Sequence, residues 1–136
     1  MADYGFAPIN SGIRFGPNES AAGNMRWLAP EIISPPSGTH PIVFESKPAD
    51  IFSFAMLAVE IFTGNEPFQG QGDPKAVYRI LKKDRPEFPQ NPEEVGLTME
   101  MRNLLQRCWD PEPTERPTID DVVNAWAGFI ETNECI

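Results

Sequence analysis

The side chains able to do chemistry are few and far apart. An aspartate stands at position 3, followed by Tyr4 and Gly5, so the chain opens on a carboxylate beside a glycine turn. Its bland alternative is an exposed charge near a terminus, where chains are poorly ordered unless tied down. Glycine-rich loops cradle phosphate when they link a strand to a helix. Gly70-Gln71-Gly72 follows no strand and opens no phosphate-binding helix, so it reads as a turn. The single histidine, His40, precedes a proline in a loop. Cys108 and Cys135 form neither a disulfide framework nor a metal-binding spacing. Cys108 reads as a small buried hydrophobe and Cys135 as part of a tail, which suits a reducing compartment.

These residues need a scaffold, and size and composition bound it. A chain of 136 residues is the length of one domain. A hydrophobic share of 40% is enough for a core. Its 15 prolines, about twice the usual share, point to long irregular connections between helices. The net charge of −9 argues against nucleic acid, since no basic patch is left to neutralise phosphates, and against an anionic membrane surface. The opening residues do not read as a signal peptide. The longest apolar run, 51–59, stops at Glu60 and falls far short of the ~20 residues of a membrane span. A cytoplasmic location is expected, with no membrane partner.

Residues 1–25 are rich in Gly, Asn and Ser and lack periodicity, so they read as loop. Residues 34–48 are a second loop, broken by prolines. ADIFSFAMLAVEIFTG, from position 49, is apolar on every side of a helical wheel, with Gly64 as its stop. Such a helix must be buried all round. Three amphipathic helices follow. Asp73 is the expected cap of the first, ahead of Pro74, and its apolar face is Ala76, Val77, Ile80 and Leu81. Thr98 is the expected cap of the second, whose face is Met101, Leu104, Leu105 and Cys108, with Trp109 at its end. Thr118 and Asp121 form a capping box for the third, whose stripe is Ile119, Val122, Val123, Trp126 and Ile130. No segment reads as a strand. The expected fold is all-α, three amphipathic helices around a buried one. Three helices cannot sheathe the fourth completely, so one flank of 51–62 is expected to lack a partner.

Three stretches, in order, resemble the C-terminal lobe of a protein kinase of the tyrosine-kinase-like group. GNMRWLAPEII at 23–33 is similar to the end of the activation loop. ADIFSFAMLAVEIFTGNEPF at 49–68 is similar to the lobe's central helix, and LLQRCWDPEPTERPTIDDVV at 104–123 to its closing helices. The resemblance implies a partial kinase domain over 1–129 without an N-terminal lobe. Its parts are an activation segment 1–33, a loop 34–48, a central helix 49–63 and closing helices within 73–131. Residues 130–136 form a tail.

The resemblance gives Asp3-Tyr4-Gly5 a meaning, as the family's metal-binding Asp-Phe-Gly turn with Tyr4 in place of phenylalanine. Asp3 would then hold the magnesium that bridges the nucleotide phosphates. Asn24, Arg26 and Trp27 align with the substrate-docking loop, of the Ser/Thr type by its Gly-x-x-x-Trp-x-Ala-Pro-Glu pattern from Gly23 to Glu31. Asn24 replaces the usual threonine, and Trp27 is equally well read as plain packing. Glu31 and Arg116 are implied to form an ion pair tying the activation segment to the loop before the last helix. Asp50 matches the anchor at the start of the central helix; for this chain it reads better as a favourable charge at a helix N-terminus. Phe52 and Ala55 stand where the family has Trp and Gly. Ser11 and Ser20 fall where activating phosphorylation occurs in the family, but read better as solvated loop serines.

The family's activity is transfer of the ATP γ-phosphoryl group to a protein hydroxyl, with magnesium. These 136 residues contain no Gly-rich loop over phosphates, no Val-Ala-Ile-Lys strand and no His-Arg-Asp catalytic loop. Phosphoryl transfer is mostly positioning and charge stabilisation, so the chain alone is expected to bind neither ATP nor magnesium and to be inactive. Its expected partners are a protein substrate or a partner kinase chain. The alternative is a non-catalytic, pseudokinase-like interaction module using the uncovered flank of 51–62.

Overall fold

A computed structural model describes residues 25–35 and 47–134. The expectations for Asp3, Tyr4, Gly5, Ser11, Ser20, Gly23, Asn24, His40 and Cys135 lie outside the described residues. The described elements are all helical: a 3-10 turn at Met25–Trp27, then α1 Pro30–Ile33, α2 Lys47–Thr63, α3 Asp73–Leu81, α4 Met99–Cys108 and α5 Ile119–Glu134. Further 3-10 turns stand at Pro92–Val95 and Pro113–Glu115. No strand occurs among the described residues.

The run of apolar residues in α2 makes it the axis of the molecule. Ile51, Phe52, Ala55, Met56 and Val59, at helical spacing, are all buried, and small Ala49 and Ala58 let neighbours approach. Phe52 is fully buried, worth roughly 1.5–3 kcal/mol relative to exposure. The helix begins at Lys47, earlier than expected, because Pro48 is tolerated in a first turn. It ends where Gly64 adopts φ 75° and its N–H donates to the Glu60 carbonyl at 2.8 Å. Burial on every side gives way to the other expectation, that one flank of 51–62 lacks a partner. Leu57 is 38% and Ile61 69% exposed, so one flank stays open among the described residues.

The cap of α3 is a second correction. Gly72 occupies the N-cap position without a side-chain bond, and Asp73 is the first helical residue. The Asp73 carboxylate instead accepts from Arg26. Ala76 and Ile80 are buried, Val77 is half-buried and Leu81 is exposed. In α4 the Thr98 hydroxyl accepts from the Met101 N–H at 3.3 Å, and Met101, Leu104, Leu105 and Cys108 all face the core. Trp109 then stacks on Phe88, with ring centroids 5.5 Å apart.

The capping box forms at α5. Thr118 N–H donates to Asp121 Oδ2 at 3.1 Å and Asp121 N–H donates to Thr118 Oγ1 at 3.2 Å. These bonds hold the Asp121 carboxyl below its ordinary pKa, the backbone bond contributing most. The stripe of this helix is the third correction. Ile119, Val123 and Ile130 are exposed. Val122 and Trp126 of the expected stripe do dock against the core, joined by Ala125 and Phe129 in place of the other three. Trp126 decides this face: it meets Phe54 edge-on at 5.5 Å, Phe62 at 6.5 Å and Phe129 at 5.8 Å. Aromatic rings carry more area than Ile119 or Ile130, so the face they prefer wins.

Candidate functional site

Two arginines fasten the segment 25–33 to the helical core. The first is Arg116, delivered by the 3-10 turn Pro113–Glu115. Its side chain is fully buried, and its guanidinium grips Glu31 with both forks, Nη1 to Oε1 at 2.7 Å and Nη2 to Oε2 at 3.0 Å. Nη1 also donates to the Pro48 carbonyl and Nε to the Asp110 carbonyl, each at 2.9 Å. Glu31 stands in the first turn of α1, Pro48 opens α2 and Asp110 follows α4, so one side chain ties three helices. Burying such a charge is tolerable because every fork of it is matched.

Phe52 lies beneath this tie. The Arg116 guanidinium sits 5.1 Å from the ring centroid and that of Arg85 sits 5.0 Å from it. Arg85 donates Nε–H to the Trp109 carbonyl at 2.9 Å. Burial, and then the nearby charge of Arg116, lower its pKa to about 10, so it remains charged at neutral pH.

The second latch is Arg26, itself only 4% exposed. Its Nε donates to Asp73 Oδ1 at 2.8 Å, Nη1 to the carbonyls of Pro67 and Phe68 at 2.9 and 3.0 Å, and Nη2 to the Gln71 carbonyl. Phe68 at φ 57° and Gly70 at φ 86° bend the turn before α3 so that these carbonyls converge. Beside it, Trp27 Nε1–H donates to Glu60 Oε2 at 2.8 Å, and the Ser53 hydroxyl donates to the Trp27 carbonyl at 2.8 Å.

The structure therefore brings Glu31 to Arg116 and turns Arg26 and Trp27 inward. The guanidinium of Arg26 and the indole N–H of Trp27 are engaged within the molecule. Asp50 is half-buried in the first turn of α2. Asp3 and Asn24 lie outside the described residues. Among the described residues no group of three or more His, Cys, Asp or Glu side chains is placed to hold a metal ion, so no step through magnesium or ATP is assigned to them. Nor is any described helix long and apolar enough to cross a membrane. Sequence reasoning missed Glu60, Ser53, Asp73 and Arg85 as partners. Their contacts join residues 24 to 47 positions apart in the chain, and no local pattern marks such a pairing.

The family model described as protein tyrosine and serine/threonine kinase matches residues 1–126. The chain is 36% identical over 134 residues to the serine/threonine-protein kinase/receptor R826 of Acanthamoeba polyphaga mimivirus, covering 95% of this chain and 7% of that protein. It is 30% identical over 131 residues to retinal guanylyl cyclase 2 of Bos taurus, covering 95% of this chain and 12% of the cyclase. With the serine/threonine/tyrosine-protein kinase HT1 of Arabidopsis thaliana it shares 29% identity over 140 residues, all of this chain and 31% of the relative. The chain thus spans a third or less of the length of each of these relatives.

Proposed function

This chain belongs to the protein tyrosine and serine/threonine kinase family, and on that premise we propose that it is a C-terminal-lobe segment of a tyrosine-kinase-like, Ser/Thr-directed protein kinase. The activity of the intact protein is then transfer of the ATP γ-phosphoryl group to a protein hydroxyl, with ATP and magnesium supplying the transferred group and its charge neutralisation. The segment's own part is positional. Through the inward-turned side chains of Arg26 and Trp27 it anchors the base of the substrate-docking loop, to which the resemblance assigns Asn24, Arg26 and Trp27.

The observation that carries this reading is the bidentate contact between Glu31 and Arg116, which clasps the segment around Ala29-Pro30-Glu31 to the start of α2 and the approach to α5. On the same reading these residues alone transfer no phosphate, since the lysine, catalytic loop and glycine-rich loop are not among them. Titration calorimetry of the chain with ATP and magnesium tests this. No metal-dependent heat is expected, and saturable, magnesium-dependent ATP binding contradicts the proposal of inactivity.

Two observations favour a second reading, a non-catalytic interaction module. Ile61 and Leu57 leave apolar surface open on α2, and one relative carries the name of a guanylyl cyclase rather than a kinase. Sedimentation separates the readings. Self-association or a stable complex with an intact kinase supports the module, and a monomer at all concentrations with no such complex removes it.

A further inference from the structure

At the end of α2 lies an open groove of about 550 Å³ between the turn 65–69 and the connection 86–95. Its floor is apolar: Phe62 and Phe88 are half-buried there, and Val95 is 47% exposed at one edge. Its rim carries the carboxylates of Glu66, Glu87 and Glu94. Among the described residues no lysine, arginine or histidine lines it. Gln69, Gln90 and Asn91 also line the space, and their carboxamides make no hydrogen bond among the described residues.

We propose that this groove docks an extended, cationic peptide segment of another protein, with an apolar side chain set between Phe62, Phe88 and Val95. The three kinds of lining group select that occupant. Glu66 is already paired with Arg26 Nη2 at 3.7 Å, but the Glu87 and Glu94 carboxylates have no cationic partner among the described residues, and beside a partly dry floor they favour arginine or lysine and repel acidic chains. Carboxamides offer both a donor and an acceptor, which matches the alternating N–H and C=O groups of an extended backbone. The rings and Val95 supply area for one apolar anchor. The volume falls in the range of ordinary ligand sites, roughly 300–1,000 Å³, and its openness to solvent suits a chain that passes through rather than an enclosed small molecule. The proposal stands apart from phosphoryl transfer and holds for either reading above.

The test uses the full chain and a fluorescein-labelled peptide of alternating arginine and leucine, with the glutamate-for-arginine peptide as comparison, followed by fluorescence anisotropy. The arginine peptide is expected to bind and the glutamate peptide not. Glu87→Lys/Glu94→Lys is expected to weaken binding about tenfold or more, and Val95→Ser several-fold. A charge-matched control, Glu100→Lys/Glu131→Lys, places the same change on the exposed faces of α4 and α5 and is expected to weaken binding by less than about threefold. Circular dichroism checks folding, and Glu87→Gln/Glu94→Gln replaces the lysine pair if that pair unfolds. Absence of binding, equal binding of the two peptides, or a loss in the control as large as in the groove variants overturns the proposal. The last outcome would assign the attraction to the overall charge of −9 instead.

Discussion

Arg116 and Glu31 meet through two parallel contacts, at 2.7 and 3.0 Å, across 85 residues of chain. The arginine side chain is fully buried while the glutamate retains only 13% of its exposure. A charge so placed is costly to leave alone. Removal of one partner of a buried pair typically costs about 3–5 kcal/mol. Arg116→Ala is therefore expected to lower the melting temperature by roughly 10 °C or more. Lysine has a single ammonium and cannot reproduce the fork, so Arg116→Lys is expected to recover less than half of the loss. Thermal denaturation followed by circular dichroism measures both.

Arg26 and Asp73 form a contact of similar length, 2.8 Å, yet the aspartate side chain is 48% exposed. The charge pair itself is then worth at most about 1 kcal/mol. The three backbone carbonyls that Arg26 also holds matter more, because its removal leaves them without a donor. Asp73→Asn is expected to change stability by less than about 1 kcal/mol, while Arg26→Ala speeds hydrogen exchange across 25–29 and 66–72. Equal effects of the two variants on exchange would assign the latch to the ion pair instead.

Cys108 gives a pH signature. Burial pushes its thiol up from 9.0 to about 11. In the unfolded chain the thiol ionises near its ordinary value; in the folded protein it does so only near 11. The unfolded state therefore binds fewer protons between these values, and stability falls as pH rises from about 9 through about 11. Cys108→Ala is expected to flatten that part of the stability profile, measured by urea denaturation at a series of alkaline pH values. A slope that is unchanged in the variant would assign the alkaline loss to other groups.

Trp126 and Ile130 lie one turn apart on α5 with unequal surroundings. Trp126 touches three aromatic rings, whereas Ile130 is 50% exposed. Trp126→Ala is expected to cost about 3 kcal/mol and Ile130→Ala less than about 0.5 kcal/mol, both read from the urea midpoint. The reverse order would mean that α5 is rotated from the docking described.

Helix existence was legible from periodicity because burial imposes it. The run 51–59, the Thr98 cap and the Thr118–Asp121 box are each written in residues close together in the chain. Faces were less legible. Val122, Val123, Trp126, Phe129 and Ile130 satisfy more than one helical stripe, and only the rings of Phe54 and Phe62 on another helix choose between them. The cap expected at Asp73 failed for a similar reason. Its carboxylate has a better partner, Arg26, 47 residues away, and a charged donor outcompetes a backbone N–H. The family motifs pointed to the pairing of Glu31 with Arg116. Nothing in the order of residues pointed to Glu60 under Trp27 or to the groove beside Phe88.

The most direct test of a lobe clasped through one carboxylate and one guanidinium is a double-mutant cycle in urea. It compares the native chain, Glu31→Gln, Arg116→Gln and the double variant. A coupling free energy above about 1 kcal/mol is predicted, with the double variant losing clearly less than the sum of the two singles. Additivity within about 0.5 kcal/mol would contradict the clasp and with it the placement of 25–33 against α2.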